Sequence, residues 1–244
     1  MTYRRTALFT LVDVAQKIVA GKIGPIEGSR KIVRPRLVAD GEEEIAERKS
    51  AVIIPVPDAE PIVGEARRLY DPAARAGVPA HITLLYPFCP APVLEETIQG
   101  LVRLFAGAEP IALSFADVGR FANTLYLEPS PKKPLIGMIE ALLLRWPDCL
   151  PYRGEHESVV PHLTVANHQD DQRLLSCLAE MVVPHLPLRT TVTEAWLIET
   201  RDDGLWHRRA AFSFSSRNAV GGVSMIRPEA AAGYVIPLDQ ADSS

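Results

Sequence analysis

The sequence predicts an α+β fold, a duplicated two-lobed domain with a small helical extension in front of it. Three observations carry that prediction. The order helix, strand, helix, strand, strand occurs twice, over about 58–128 and 133–214. The offset of roughly 75–85 residues is too long for a solenoid unit. Each copy holds one His-x-Thr tripeptide, at the start of the equivalent strand.

The elements follow in order. Leu8, Leu11, Val12, Ala15 and Ile18 form a helical stripe that Gly21 ends. Gly24-Pro25 opens a second helical stretch, closed by Pro35, and the acidic run Glu42-Glu43-Glu44 follows as a linker or a solvated helix face. Residues 1–49 therefore read as a helical appendage of unknown role, with no partner protein assigned. Ala51 to Val56 is a β-branched run expected to be a buried strand.

The first copy begins with a helix over about 60–70 (Ile62, Ala66, Leu69) and the strand His81 to Tyr86. A helix carrying Leu94, Ile98, Leu101, Val102 and Phe105 follows. Strands near 111–117 and 122–128 close the copy, joined by a turn near Gly119. Arg67 and Arg68 are expected on the solvent face of the first helix. The second copy has a helix with Leu135, Ile139 and Leu142 stopped by Pro147, then the strand His162 to Asn167. Its next helix carries Leu174, Leu178 and Met181 and ends at Pro184. Thr191–Thr200 and Trp206–Phe214 are expected to form a hairpin around Asp202-Asp203-Gly204. The domain thus spans 50–216, and the Gly-, Ala- and Ser-rich tail 217–244 is expected to be loosely attached.

Composition sets limits. With 47% apolar and 23% charged residues over 244 positions, the chain can bury a large core without staples. A net charge of −4 gives no broad basic field, so no long nucleic acid is predicted. Cys89, Cys149 and Cys177 form no CxxC pair or metal-like spacing, which favours reduced thiols and a cytoplasmic setting. The uncharged run from Gly77 to Leu94 contains four prolines and cannot be a membrane helix. Asp13 interrupts the short apolar stretch near the start, and no secretory signal is expected.

The chemistry sits in His81-Ile82-Thr83 and His162-Leu163-Thr164. Composition alone predicts about 0.3 such tripeptides in a chain of this size. Side chains at i and i+2 of a strand share a face, so each tripeptide offers an imidazole beside a hydroxyl. Two imidazoles near their ordinary pKa of about 6.5 can divide labour as base and acid. Flanking hydroxyls can donate to the non-bridging oxygens of a phosphate held between them. Rate against pH would then be bell-shaped, with both limbs between about 5 and 8. In-line displacement at phosphorus needs no metal beyond these groups, and no cofactor is predicted.

The segments PAHITLLYPF (79–88) and VVPHLTVA (159–166), with VGRFANTLYLEP (118–129) between them, resemble the 2H phosphoesterase superfamily. That superfamily includes 2′-5′ RNA ligase-like proteins and cyclic phosphodiesterases. The resemblance covers about 50–215. It implies two pseudo-symmetric lobes of antiparallel sheet with outer helices and a site in the cleft between them. It also implies that His81 and His162 are catalytic, that Thr83 and Thr164 hold phosphate, and that the substrate is a small nucleotide or an RNA-terminus phosphate ester. Several RNA ligase-like members carry an arginine shortly after the second motif, where this chain reads Ala166-Asn167-His168.

Other residues carry weaker signals. Phe121, Tyr126 and Tyr152 are candidates for stacking on a base or sugar, although a strand aromatic is more often core. Arg120 and Arg153 are candidates for outer phosphate contacts, against the common case of an exposed arginine. His168 is expected to share a strand face with His162 and Thr164, as a third site histidine or a solvated strand end. His156, His185 and His207 read as surface or capping residues. A metal site is not predicted. A catalytically silent nucleotide-binding protein of the same fold is the competing reading, and an acyl hydrolase lacks a G-x-S-x-G elbow.

Overall fold

The computed structural model describes residues 48–151 and 159–215. The extension expected before residue 48, the tail 217–244, and Tyr152, Arg153 and His156 lie outside the described residues. In chain order the elements are β1 (Ser50–Pro55), α1 (Glu60–Tyr70), α2 (Pro72–Arg75), β2 (His81–Leu85) and α3 (Glu95–Phe105). They continue with β3 (Ile111–Phe121), β4 (Thr124–Ser130), α4 (Lys133–Arg145), β5 (Leu163–Ala166) and α5 (Gln172–Val182). Strands β6 (Leu188–Val192), β7 (Glu194–Thr200) and β8 (Trp206–Ser213) complete the set.

All described strands join one eight-stranded antiparallel sheet in the order β6-β3-β4-β5-β2-β1-β7-β8. The two motif strands meet at its centre, with three strands outside each. The sequence copies interleave to build this sheet. The β3–β4 hairpin of the first copy stands beside β5 of the second, and the β7–β8 hairpin of the second stands on the far side of β1 and β2.

One sheet face and the helices form the main core. Ile54, Ile82, Leu127 and Leu163 pack from the sheet against Val63, Leu101, Leu135 and Leu175 of the four longer helices. Fully burying each such side chain stabilises the fold by about 1.5–3 kcal/mol. A smaller cluster on the other face joins Ala51, Ile53, Val78 and Ile198, with Tyr86, Trp196 and Trp206 packed against it.

Four local expectations change. Leu69 and Val102 match the helical spacing but are exposed, because these 11-residue helices bury a narrower stripe than their apolar residues could fill, and Leu94 is exposed as the extended residue just before α3. Gly119 lies inside β3, and the turn falls at Ala122-Asn123. The stretch expected as one strand over 191–200 divides at Thr193. Leu188–Val192 pairs with β3 at one edge of the sheet, while β7 pairs with β1 and β8 near the other. Arg67 is buried rather than on the solvent face, at 1% exposure.

Candidate active site

In β2 and β5 the burial alternates identically: His81 and Thr83 are part-buried around buried Ile82, and His162 and Thr164 around buried Leu163. Ile82 pairs with Leu163 in antiparallel register, and both face the core at 0% exposure. That register sets His81 across from Thr164 and Thr83 across from His162, all four on the opposite face. The rows extend outward through Pro55 opposite His81, Ile53 opposite Thr83, and Tyr126 opposite Thr164.

Each imidazole is oriented in the same way. His81 Nδ1 lies 2.7 Å from the Pro79 carbonyl oxygen, and His162 Nδ1 lies 2.7 Å from that of Val160. A carbonyl can only accept, so Nδ1 carries the proton in both rings and each Nε2 is left with its lone pair. The neutral rings are bases at Nε2, and a proton added there makes either one an acid.

The electrostatic settings of the two rings differ. His81 keeps some access to solvent, yet dense protein surrounds it. Burial and the Arg67 cation push its pKa down to about 3, with the Pro79 hydrogen bond opposing and His162 adding to the depression. Burial also lowers His162, and its bond to the Val160 carbonyl opposes that. Phe121 and Tyr126 pack on His162 with ring centroids at 5.3 Å, Phe121 edge-on at 86°. Phe121 and Tyr126 lie 4.5 Å apart.

Of the weaker candidates, Phe121 and Tyr126 thus join the second motif, Phe121 at 41% exposure and Tyr126 at 9%. Arg120 turns toward α5, where it donates to Ser176 Oγ at 3.2 Å. His168 does not share the motif face. The strand ends at Ala166, the alternation breaks with Val165 and Ala166 both buried, and His168 follows at φ 57 and exposed. Among the described residues no three His, Cys, Asp or Glu side chains converge as metal ligands. A recess of about 520 Å³ bounded by Ser114, Arg189 and Thr190 contains none of the motif residues.

Two residues of the site escaped sequence reasoning. Gly119 stands opposite Tyr126 in the β3–β4 ladder, and a Cβ there would run into the tyrosine ring. The ring therefore lies over the glycine, and a lone glycine inside a strand pattern was the available signal. Arg67 donates to the Thr164 carbonyl at 2.7 Å and to those of Val78 and Pro79 at 3.2 Å. Its signal was position, since Val63, Ala66 and Arg67 occupy one helical face.

A family model described as the 2′-5′ RNA ligase superfamily matches residues 54–204, which include both motifs. A protein of Bacillus pumilus (strain SAFR-032) named "Putative phosphoesterase" is 27% identical over 160 residues, 64% of this chain and 90% of that one. The crystal structure of TT0787 of Thermus thermophilus shares the fold, with a TM-score of 0.50 and 18% identity over 69% of this chain and 99% of that one. The crystal structure of E. coli LigT complexed with 3′-AMP aligns with a TM-score of 0.49 at 14% identity, over 70% of this chain and 99% of LigT.

Proposed function

Because this chain belongs to the 2′-5′ RNA ligase superfamily, we propose that it is a metal-independent phosphodiesterase acting on a 2′,3′-cyclic phosphate or a 2′-5′-linked nucleotide or RNA end. The observation that carries the reading is the Ile82–Leu163 register, which gives two histidine–threonine pairs one common face. Both Nε2 atoms are unprotonated and available, since each Nδ1 is committed to a carbonyl.

In hydrolysis one imidazole takes a proton from water as the water oxygen bonds to phosphorus. The other gives a proton to the ribose oxygen as its bond to phosphorus breaks. Thr83 and Thr164 donate to the non-bridging oxygens, where negative charge is held throughout. Microscopic reversibility lets the same groups join a 2′-hydroxyl to a cyclic phosphate. Both rings are neutral in the free protein at pH 7, so the acid must acquire its proton as substrate binds. An anionic phosphate beside the rings favours their charged forms and raises both pKa values.

Phe121 gives the site an exposed aromatic surface edge-on to His162, suited to stacking on the nucleobase. The testing experiment is a phosphorus NMR screen of 2′,3′-cyclic mononucleotides and 2′-5′ dinucleotides in EDTA. Conversion to monoester or to cleaved products supports the proposal. Calorimetric binding of the same compounds without any product favours a silent binding protein.

A further inference from the structure

We propose that Arg67 is a positioning residue of this site. Its guanidinium joins the two motif strands through the carbonyls of Val78, Pro79 and Thr164, and it shares with His81 the carbonyl that orients the imidazole. The proposal deepens the reading of His81 and His162 as the reacting pair and rests on it.

The seam between the motif strands is thin. Strands β2 and β5 have a single registered pair, Ile82 with Leu163, whereas β3 and β4 have seven. Arg67 spans that seam from α1, with Nη1 on the Thr164 carbonyl and Nη2 on those of Val78 and Pro79. Glu60, seven residues earlier and on the same helical face, accepts from the Ala80 amide at 2.5 Å. Gly64 between them leaves room for this arrangement, since a Cβ there would lie 2.6 Å from Glu60 Oε2. Side chains of α1 thereby bond main-chain groups on both sides of the short ladder.

A buried guanidinium is costly unless it is paired and hydrogen-bonded. Arg67 has both, with Asp71 Oδ2 2.9 Å from its Nη1. That pair neutralises charge without a well-aligned hydrogen bond to Oδ2. Burial lowers the guanidinium's pKa and raises the Asp71 carboxyl's, and their mutual attraction opposes both shifts.

The Pro79 carbonyl accepts from both His81 Nδ1 and Arg67 Nη2. A carbonyl already engaged by a cation is a poorer acceptor for an imidazolium, and the cation itself repels a second positive charge. Among the described residues no arginine donates to the Val160 carbonyl that orients His162. Among the described residues, the titratable groups acting on His81 are Arg67 of α1 and His162 just before β5; Glu60 of α1 accepts from the neighbouring Ala80 amide, and β1 presents Pro55. Arg67 thus keeps His81 neutral in the free protein, after burial itself, and makes the two histidines unequal.

The test compares wild type with Arg67→Lys and with the double variant Arg67→Met, Asp71→Asn. The asparagine removes the orphaned counter-charge and keeps an acceptor for the Ala73 amide that Asp71 now holds at 3.0 Å. Imidazole titrations by NMR on free protein need no substrate, and kcat and KM on a 2′,3′-cyclic mononucleotide follow. A lysine keeps the charge but cannot serve three carbonyls, so kcat should fall about 10-fold with KM within about 2-fold. In the double variant the His81 midpoint should rise by about one pH unit or more, and that of His162 by less. An unchanged His81 midpoint in a folded double variant overturns the proposal, and so does wild-type kcat in Arg67→Lys. If the double variant does not fold, the lysine variant decides alone. If wild type turns over no cyclic phosphate, the functional reading fails while the His81 midpoint still judges Arg67.

Discussion

Ile82 pairs with Leu163 across the centre of the sheet, and both side chains are completely buried. A one-residue slip of either strand would turn its apolar residue outward and bury that strand's own histidine and threonine. Core packing on one face thus fixes which groups stand together on the other. The common face of the two histidine–threonine pairs follows from that hydrophobic constraint.

Replacing either motif histidine removes a proposed proton-transfer group while leaving that core face intact. His81→Ala and His162→Ala should each lower kcat/KM on a 2′,3′-cyclic mononucleotide by on the order of 10²-fold or more. Thermal melting should stay near wild type, and a chromogenic or phosphorus NMR assay reads the rate.

The depressed histidines alter the pH dependence expected from unperturbed groups. In the proposed mechanism the singly protonated pair is the active form, and it is most populated between the pair's two macroscopic pKa values. With His81 at about 3 and His162 below its ordinary value, kcat/KM, which reports the free protein, should be greatest below about pH 6.5. Bound phosphate raises both values, so kcat should peak at higher pH than kcat/KM. Binding near neutrality should also take up protons, seen as a buffer-dependent calorimetric enthalpy. A kcat/KM maximum above pH 7.5 contradicts this setting of the histidines.

Folding stability should follow the same linkage. Both folded-state pKa values lie below the unfolded value near 6.5, so the unfolded chain binds more protons as the pH falls through that value. The contribution of His81 to stability is therefore unchanged above about pH 7 and declines from there toward pH 3. Denaturant midpoints from pH 7 to 4 should fall less steeply in His81→Asn than in wild type.

Phe121 and Gly119 act on the same side of the site by different means. Phe121→Ala removes an exposed ring, and stacking on a base is worth about 1–3 kcal/mol. Its KM for a cyclic mononucleotide should rise about 5-fold or more, with inorganic phosphate affinity little changed. Gly119→Ala forces the Tyr126 ring off the strand and so disturbs the packing on His162. That variant should lose about 10-fold or more in kcat while costing about 1–3 kcal/mol in stability.

The motif strands were legible because period-two alternation and the His-x-Thr spacing agree residue by residue. The helices were legible from their stripes, but Arg67 was not, since a charge on an amphipathic helix ordinarily marks the solvent face. Its burial depends on three carbonyls supplied by other elements, which no local pattern records. The break at Thr193 was hidden for a similar reason. Neither glycine nor proline separates Val192 from Glu194, and only long-range pairing sends the two halves to opposite ends of the sheet. His168 failed by one register irregularity, the bulge at Leu125/Tyr126 opposite Thr164 and Ala166.

The central claim is that two imidazoles perform a phosphodiester displacement on this face. It is tested most directly by following a 2′,3′-cyclic mononucleotide by phosphorus NMR in EDTA with wild type and with the His81→Ala, His162→Ala double variant. Wild type should convert it to a nucleoside monophosphate, and the double variant should give none above background. Full conversion by the double variant would contradict the claim.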